Sequence, residues 1–531
     1  MPAAPPAPRR LFLACLLAVA AVALLQLLPG LDRMDFHHEE GRRVLPAREM
    51  LASGDWVTPT LVGKPYLSKP PGIFWALAGL FRLTGSDGVL VARSLSVLAT
   101  LATAIGILLF GARLFRLRAG FLAALLWLAA PETLAKGRLA EIEAPLACAV
   151  FAAVACWWLG REGGWGWRIG AGLALAAALL LKGPVALVFF LGAPLALASR
   201  RDVGGARSLF APSLLVPLAL GLALPALWVG ALLAEIDPAA AAGHWGGQIG
   251  GQGGGGRSLG TYAGERVEFL FGSLLALLPS SLVLVLSFRD APGKELWRAP
   301  APRALLGAAA AGWLFFFLFP GTSARYVFPA LPFVALVAGE LLDGAAAPLA
   351  GRFDRAAFGF GVLGLLIWLA VVVGWFLPLG DVEVDGLGLL LGKLAGLTGL
   401  AVLAGRGAPR RLAGLLLIPL LAGQILTSQV EPPKAKRHAR AIHAARIDAA
   451  LEPGETLHVA RWSNFNTLLY LEHGLVLLDD LRALPEGAAA LVHARQLEQL
   501  GGGVPWPYEI LVEVRVRRDD LAVVRRGASA P

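Results

Sequence analysis

A polar segment near the start of the chain contains the residue types that general acid–base chemistry uses. It reads DFHHEEGRR and holds, within nine positions, Asp35, His37, His38, Glu39, Glu40, Arg42 and Arg43. A carboxylate here could act as a general base on a hydroxyl group or help to bind a divalent cation. The two histidines are adjacent, and neighbouring residues on a helix do not share a face, which disfavours a histidine metal site. The alternative is that these side chains are simply solvated.

Two lysines stand beside prolines at the ends of apolar runs. Lys69 precedes Pro70 and Pro71, which stiffen the backbone and can start a helix. Lys182 lies in LLLKGPVALVFF, where a single ammonium between apolar runs needs a partner. A lipid phosphate would suit either lysine. The alternatives are snorkelling of Lys69 to a membrane surface and an ion pair between Lys182 and a carboxylate.

Three further segments carry candidate residues. They are LAKGRLAEIEAPL with Lys136, Arg138, Glu141 and Glu143, GTSARYVFP with Arg325 and Tyr326, and HWGGQIGGQGGGGRS, which begins at His244. So many glycines cannot form a stable element. The glycine-rich segment is therefore either a lid over a substrate or an unstructured connector.

The composition predicts that membrane helices position these residues. Of the 531 residues, 57% are hydrophobic and only 16% are charged, whereas a soluble domain carries about 25% charged residues. A membrane helix needs about 20 mostly apolar residues. Thirteen apolar runs are read as spans, near residues 11–31, 89–112, 119–134, 144–160, 168–182, 184–200, 208–234, 266–289, 303–319, 327–345, 356–379, 387–405 and 411–428. We interpret the first as a retained anchor rather than a cleaved signal peptide, because it lacks a clear cleavage site.

The basic residues predict the orientation of these spans. With a cytoplasmic N-terminus, arginines and lysines cluster in alternate short loops, which would be cytoplasmic, and the opposite loops are poorer in them. Loop 32–88 and the tail after residue 428 then lie outside the inner, cytoplasmic membrane, on the periplasmic side. Residues 70–84 are apolar but short, and we predict a helix along the outer interface, the alternative being a tilted span. The net charge of +10 is thereby explained by orientation, without nucleic-acid binding.

The last hundred residues have a different character. They are charged and contain no run that could span a membrane. Residues 434–451 predict a basic amphipathic helix, and TLHVARW, GLVLLDD, AALVHA, YEILVEVRVRR and DLAVVRR predict strands. We therefore divide the chain into a membrane domain, 1–430, and a small periplasmic α/β domain, 431–531. The role of the second is structural or acceptor docking. The cysteines (Cys15, Cys148 and Cys156) lie in apolar runs without ligand spacing.

Four motifs, in order, resemble a known family. REMLASGDW (48–56), SKPP (68–71), KGP (182–184) and RYVFPALP (325–332) are similar to signatures of bacterial glycosyltransferases that use polyprenyl-phosphate sugars. These include the lipid A 4-amino-4-deoxy-L-arabinose transferases and the wider protein O-mannosyltransferase-like superfamily, families 39 and 83. The resemblance implies a polytopic α-helical membrane protein of GT-C type. It also implies sugar transfer from a lipid-linked donor.

The chain departs from the family pattern at four positions. The family has an Asp-Glu pair where this chain has Glu39-Glu40, and a Tyr where it has Arg43. Ser68 replaces a frequent Glu before the Lys-Pro pair, and Glu143 stands for the second-loop Asp. Charge is therefore kept at two acidic positions and lost at Ser68. These departures bear on the acceptor and on any metal site more than on the reaction class.

The resemblance and the residues together predict an inverting displacement at the anomeric carbon. The predicted roles are catalytic for Glu39, Glu40 and Glu143, donor-phosphate binding for Lys69, Lys182, Arg325 and Tyr326, and substrate binding for Asp35, Arg42, Arg138, Glu141 and His244. A divalent metal ion is an open alternative, with Glu39, Glu143 and His38 as its candidate ligands. The acceptor would be a lipid, a glycan or a protein. A membrane transporter or flippase is the competing function, although no internal repeat supports it.

Overall fold

The computed structural model describes residues 8–239, 241–243, 259–288, 296–344, 347–376, 386–426, 440–460, 465–494, 506–516 and 519–527. His244 and the rest of the glycine-rich segment to residue 258 lie outside these residues, as does the beginning of the predicted basic helix. The chain forms two compact units. The first comprises Met1–Pro29, Ser68–Ile73 and Ser94–Val430, and the second comprises Gly30–Leu67, Phe74–Arg93 and Glu431–Pro531.

The predicted domain boundary at residue 430 coincides with one passage between the units. Residues 30–67 and 74–93, however, group with the C-terminal residues. Their grouping has a physical cause, because the polar segment of the first predicted outer loop makes hydrogen bonds to residues near 466 in the second unit. The division into two functional domains stays a prediction.

Helices make up most of the described chain. In chain order they are α1 (Arg9–Leu27), α2 (Gly41–Ser53), α3 (Gly72–Thr84), α4 (Val89–Leu114), α5 (Leu117–Leu128), α6 (Pro131–Lys136), α7 (Glu143–Gly160), α8 (Trp165–Lys182), α9 (Val185–Leu197), α10 (Pro212–Glu235), α11 (Leu259–Ala276), α12 (Ser280–Ser287), α13 (Pro300–Leu318), α14 (Leu331–Asp343), α15 (Ala347–Phe376), α16 (Gly386–Ala404), α17 (Gly407–Leu412), α18 (Ile418–Ile425), α19 (Arg440–Asp448) and α20 (Phe465–Leu468). A 3₁₀ turn, Ala324–Ala330, leads into α14.

The protein is a multi-pass membrane protein. Among the described helices, eight are long and apolar enough to cross a membrane, or nine if α11 and α12 form one bent span. Each of the thirteen predicted runs overlaps a helix in the described chain, but α5 and α9 have only 12 and 13 residues, fewer than the roughly 20 that a span needs. The count of thirteen therefore stays a prediction. Helix α3 is also short, and its placement at an interface stays a prediction.

One predicted run contains a break. Within residues 266–288, α11 and α12 are bent by 103° at a short break, so the prediction of a span here stays a prediction. Pro279 precedes α12, and proline cannot donate the hydrogen bond that would continue a helix.

Small residues allow close helix packing in the first unit. The backbones of α9 and α13 meet at Gly192 and Gly307, where a Cβ added to Gly307 would lie 2.5 Å from the Gly192 oxygen. Such small-residue contacts are typical of membrane helix pairs.

The second unit contains a five-stranded sheet. Its strands are β3 (Leu457–Ala460), β4 (Leu475–Leu478), β5 (Ala489–His493), β6 (Tyr508–Val516) and β7 (Asp519–Arg526), after a short hairpin of β1 (Thr60–Leu61) and β2 (Lys64–Pro65). The strand order is β4-β3-β5-β7-β6, parallel between β3 and its two neighbours and antiparallel elsewhere. All five predicted strands are confirmed. Leu484, Val492 and Val524 form part of a core on the sheet.

Candidate functional site

In the first unit, residues 136–143, from the end of α6 to the beginning of α7, take part in two buried ion pairs. Lys182 at the end of α8 points its Nζ to Glu143 Oε1 at 3.3 Å, and Lys136 reaches Glu141 at 2.8 Å. All four side chains are largely buried. The carboxylate alternative for Lys182 is thus realised in this structure. A buried charge pair is a costly arrangement that suits a site where a charged ligand exchanges with one partner.

The arginine–tyrosine motif joins this cluster. Lys182 Nζ lies 4.4 Å from the centre of the Tyr326 ring, and the Arg325 guanidinium lies 5.4 Å from the same ring. The Nε of Arg325 is buried and has no hydrogen-bond partner among the described residues. A buried donor without a partner is rare in proteins and calls for an explanation such as a ligand that supplies the acceptor.

The two lysine motifs also lie against each other. Gly72, directly after the Lys69-Pro70-Pro71 sequence, touches the backbone at the end of α8: a Cβ there would lie 2.7 Å from the Leu180 oxygen. Gly183 has φ +70°, a conformation that glycine adopts without strain, and faces Pro70. Lys69 itself donates to the Ser68 carbonyl at 3.1 Å. The chain thus brings SKPP and KGP, which are far apart in sequence, to one place.

Arg138 has a structural contact in addition to its predicted role. Its Nη2 donates to the Pro29 carbonyl beyond the end of α1, which ties the first helix to the segment that carries Glu141 and Glu143.

In the second unit, Glu40 and Arg93 form a buried bidentate pair. Arg93 Nε and Nη2 donate to the two Glu40 oxygens, each at 2.8 Å, and the side chains are 3% and 0% exposed. The guanidinium also donates to the carbonyls of Leu31 and Met34. Arg93 therefore fixes both the second acid of the pair and the backbone leading to it.

His37 completes this buried network as a neutral side chain. Its Nδ1 lies 3.0 Å from Arg93 Nη2, which can only donate, and 3.0 Å from the Asp35 carbonyl oxygen, which can only accept. The tautomer decides which of these two hydrogen bonds Nδ1 makes. Burial, the largest effect, and the Arg93 charge lower the pKa of His37 to about 4, against the opposing effect of Glu40. His37 is thus uncharged at neutral pH.

Glu39 has a different environment from Glu40. It lies 3.4 Å from Arg42 and 3.5 Å from Arg43, and its side chain is 32% exposed. Of the two adjacent acids, Glu39 and Glu40, only Glu39 is accessible to a substrate.

Asp35 accepts a hydrogen bond from the backbone of Ala441 in α19.

The side chain of Asn466 forms hydrogen bonds to the backbone on both sides of Glu39 and Glu40. Its Oδ1 accepts from Gly41 N at 2.8 Å, and its Nδ2 donates to the His38 carbonyl at 2.9 Å. The flanking backbone groups of Glu39 and Glu40 are thus fixed by one residue of α20. Nearby, the Tyr470 hydroxyl accepts from Phe36 N at 2.9 Å, and burial raises the pKa of Tyr470 to about 12.

Replacing Asn466 by Ala should destabilise the protein by about 2 kcal/mol and reduce sugar transfer, because one buried and one partly buried backbone group beside the acids lose their partners. Thermal unfolding of the detergent-purified protein and the transfer assay described below measure the two effects. The matched control is Thr467→Val in the same helix, since the buried Thr467 hydroxyl has no hydrogen-bond partner in the described chain. Equal losses in both variants would contradict a specific role for Asn466.

Sequence reasoning missed Arg93, Glu132 and Asn466. Arg93 stands inside a predicted span, and an ionisable residue there is itself a functional signal. Glu132 precedes Lys136 by one helical turn, and its Oε1 is buried without a hydrogen-bond partner among the described residues. No local feature marks Asn466.

The described residues contain no set of side chains that could bind the metal ion considered as an alternative. No group of three or more His, Cys, Asp or Glu side chains is arranged there to hold a metal ion. His38 is held through its carbonyl by Asn466, and Glu143 pairs with Lys182. A metal role for Glu39, Glu143 and His38 stays a prediction, and the mechanism below uses no metal.

Comparisons with known proteins show which proteins this chain is similar to. A family model described as dolichyl-phosphate-mannose-protein mannosyltransferase matches residues 68–228. An undecaprenyl phosphate-alpha-4-amino-4-deoxy-L-arabinose arabinosyl transferase from Edwardsiella ictaluri is 32% identical over 166 residues, and its counterpart from Aeromonas hydrophila is 33% identical over 167. Each match covers 30% of this chain and 30% of the relative's own length. The matched part of this chain thus corresponds to about a third of those relatives.

The fold agrees over nearly the full length. The crystal structure of ArnT from Cupriavidus metallidurans bound to undecaprenyl phosphate superposes with a TM-score of 0.72, covering 97% of each chain at 20% identity. At that identity the likeness establishes the fold. The chain has the GT-C fold, and its resemblance to the glycosyltransferases that use polyprenyl-phosphate sugars is confirmed. Within that class, the two relatives named above are arabinosyl transferases.

Proposed function

We propose that this protein transfers a sugar from a polyprenyl-phosphate carrier to a hydroxyl or phosphate group of a lipid, glycan or protein acceptor. The cluster of Lys182, Tyr326 and Arg325 carries the proposal, because it offers cations and a buried unpartnered N–H donor to a phosphate. The names of the relatives support undecaprenyl phosphate as the carrier. They also make 4-amino-4-deoxy-L-arabinose the first sugar to examine.

The donor phosphate would be bound by Lys69, Lys182, Arg325 and Tyr326. An acceptor oxygen attacks the anomeric carbon as the bond between that carbon and the phosphate oxygen breaks, and the configuration inverts. The leaving phosphate takes the electron pair, so it needs neutralisation by charge and hydrogen bonds more than it needs a proton. Lys182 is already paired with Glu143, and an incoming phosphate would share its ammonium. Glu143 then orients the lysine.

Glu39 is the base in this mechanism. It accepts the proton of an acceptor hydroxyl, a role that its partial exposure permits. Glu40 is held by Arg93 and acts through the position that it gives to its neighbour. Asp35, Arg42, Arg138 and Glu141 are proposed to contact the substrates, as is His244.

The proposed location is the inner membrane, with the site residues and residues 431–531 on the periplasmic side. The alternation of basic residues between the short loops supports this orientation.

Deleting the gene should remove one sugar from an envelope molecule, because the sugar is then no longer transferred from the lipid-linked donor to its acceptor. Mass spectrometry of lipid A, other envelope lipids and glycoproteins, with and without the gene, measures this loss, and lipid A is the first acceptor to examine. Purified protein in liposomes that contain both the lipid-linked sugar and lipid A as the acceptor should release undecaprenyl phosphate and form lipid A that carries the sugar. Lys182→Met, properly inserted, is the inactive comparison. Movement of the intact donor across the bilayer without cleavage would instead establish a flippase.

A further inference from the structure

A buried arginine lies in α11, at the beginning of the apolar run 266–289. Arg266 is 6% exposed, and its Nη1 donates to the carbonyls of Phe316 at 3.1 Å and Phe319 at 2.8 Å, and also to that of Phe317. Its nearest carboxylate is that of Glu265, at 3.4 Å. A charged group is expensive among membrane helices, so its retention there points to a function.

Arg266 and Tyr262 together cap the C-terminal end of α13 by donating hydrogen bonds to its last carbonyls. The last four carbonyls of a helix have no partner within it. Here Phe315 O accepts from Phe319 N, Phe316 O and Phe317 O accept from Arg266, and Leu318 O accepts from the Tyr262 hydroxyl at 3.1 Å. A cation at a helix C-terminus also interacts favourably with the helix dipole.

The capped C-terminal end of α13 is followed in the chain by the arginine–tyrosine motif. The ring of Phe316 lies 5.2 Å from the ring of Tyr326, whose own centre lies 4.4 Å from Lys182 Nζ. The turn between them is held by the same helix, since Glu265 accepts from Gly321 N at 3.2 Å. Arg266 is thus connected to the phosphate-binding cluster through Phe316 and through this turn.

We propose that Arg266 is a positioning residue for the lipid-phosphate donor, an inference that rests on the proposed function. By fixing the end of α13, it places Phe316, and with it the Tyr326 ring and the Lys182 ammonium, where a phosphate can be bound. Its Nη1 is fully engaged by backbone carbonyls and its Nη2 lies 3.4 Å from Glu265, whereas its Nε is buried without a hydrogen-bond partner in the described chain. In this proposal Arg266 acts on the donor through the residues that it contacts.

Binding of undecaprenyl phosphate to the purified full-length protein tests the proposal. Arg266→Met should weaken binding about tenfold, as expected when one charge-assisted contact is displaced, and Arg266→Lys, which keeps the charge, should weaken it less. Tyr262→Phe removes one hydroxyl from the same helix end and should show a smaller loss, which keeps the test open if Arg266→Met does not fold.

Arg303→Met is the matched control. Arg303 also binds a backbone carbonyl, that of Ala196 at 2.8 Å, but at the beginning of α13. A purely structural role would lower the melting temperature in the Arg266 and Arg303 variants alike and leave the dissociation constant of the folded protein unchanged. Unchanged binding in Arg266→Met, or equal weakening in Arg303→Met, overturns the inference. If the wild-type protein does not bind undecaprenyl phosphate while it is folded, the proposed function fails first.

Discussion

Replacing Arg93 by Met should lower the free energy of unfolding by about 3–5 kcal/mol, the loss typical of a buried ion pair that loses one partner. The variant leaves the Glu40 carboxylate fully buried without the two donors of the guanidinium, although His37 N still donates to it. It also leaves the carbonyls of Leu31 and Met34 without that guanidinium. Unfolding of the detergent-purified protein by sodium dodecyl sulfate, followed by tryptophan fluorescence, measures the shift. Arg82→Met, which removes an exposed arginine of the same unit, should leave the midpoint unchanged.

A second substitution separates the charge effect from general loss of packing. The double variant Arg93→Met with Glu40→Leu has no buried charge at this place, and apolar replacement of a buried pair is often near neutral. It should recover part of the stability, though not all, because the two backbone carbonyls still lack the arginine. If the double variant is no more stable than Arg93→Met, the stabilising effect of Arg93 does not come from its pairing with Glu40.

Sequence patterns predicted those parts of the fold that depend on local periodicity. Alternating apolar residues placed all five strands of the C-terminal sheet, and long apolar runs placed the helices. The break before α12 was missed, although Pro279 is visible in the sequence, because the apolar run continues on both sides of it. Residue type and spacing also singled out Glu143, Lys182 and Tyr326, which the structure brings together.

Partners distant in sequence could not be predicted in this way. Arg93 and Glu40 are 53 residues apart, and Gly41 and Asn466 are 425 residues apart. Neither pairing has a local period, since both depend on how separate elements pack. For this reason the sequence could not distinguish the two adjacent acids, whereas the structure separates a fully buried Glu40 from a partly exposed Glu39.

Glu39→Gln should reduce sugar transfer about 100-fold or more, the effect expected when a general base is lost. The amide keeps the size of the side chain but cannot accept the acceptor's proton. Stability should change little, because the ion pairs of Glu39 are long and partly exposed, and such pairs contribute at most about 1 kcal/mol. The transferred sugar is measured by mass spectrometry in cells whose only copy of the gene encodes the variant, at equal abundance in the membrane.

Glu40→Gln is the informative comparison because it changes the neighbouring acid by the same atoms. It should lower the unfolding midpoint, since Arg93 loses its charged partner in a buried place. The folded fraction should retain more transfer than Glu39→Gln. Glu39→Asp, which shortens the side chain but keeps the carboxylate, should keep part of the rate and thereby distinguishes a base from a mere spacer. If Glu40→Gln were inactive at full stability while Glu39→Gln worked normally, the base would be Glu40, and Arg93 would hold it in a catalytic position.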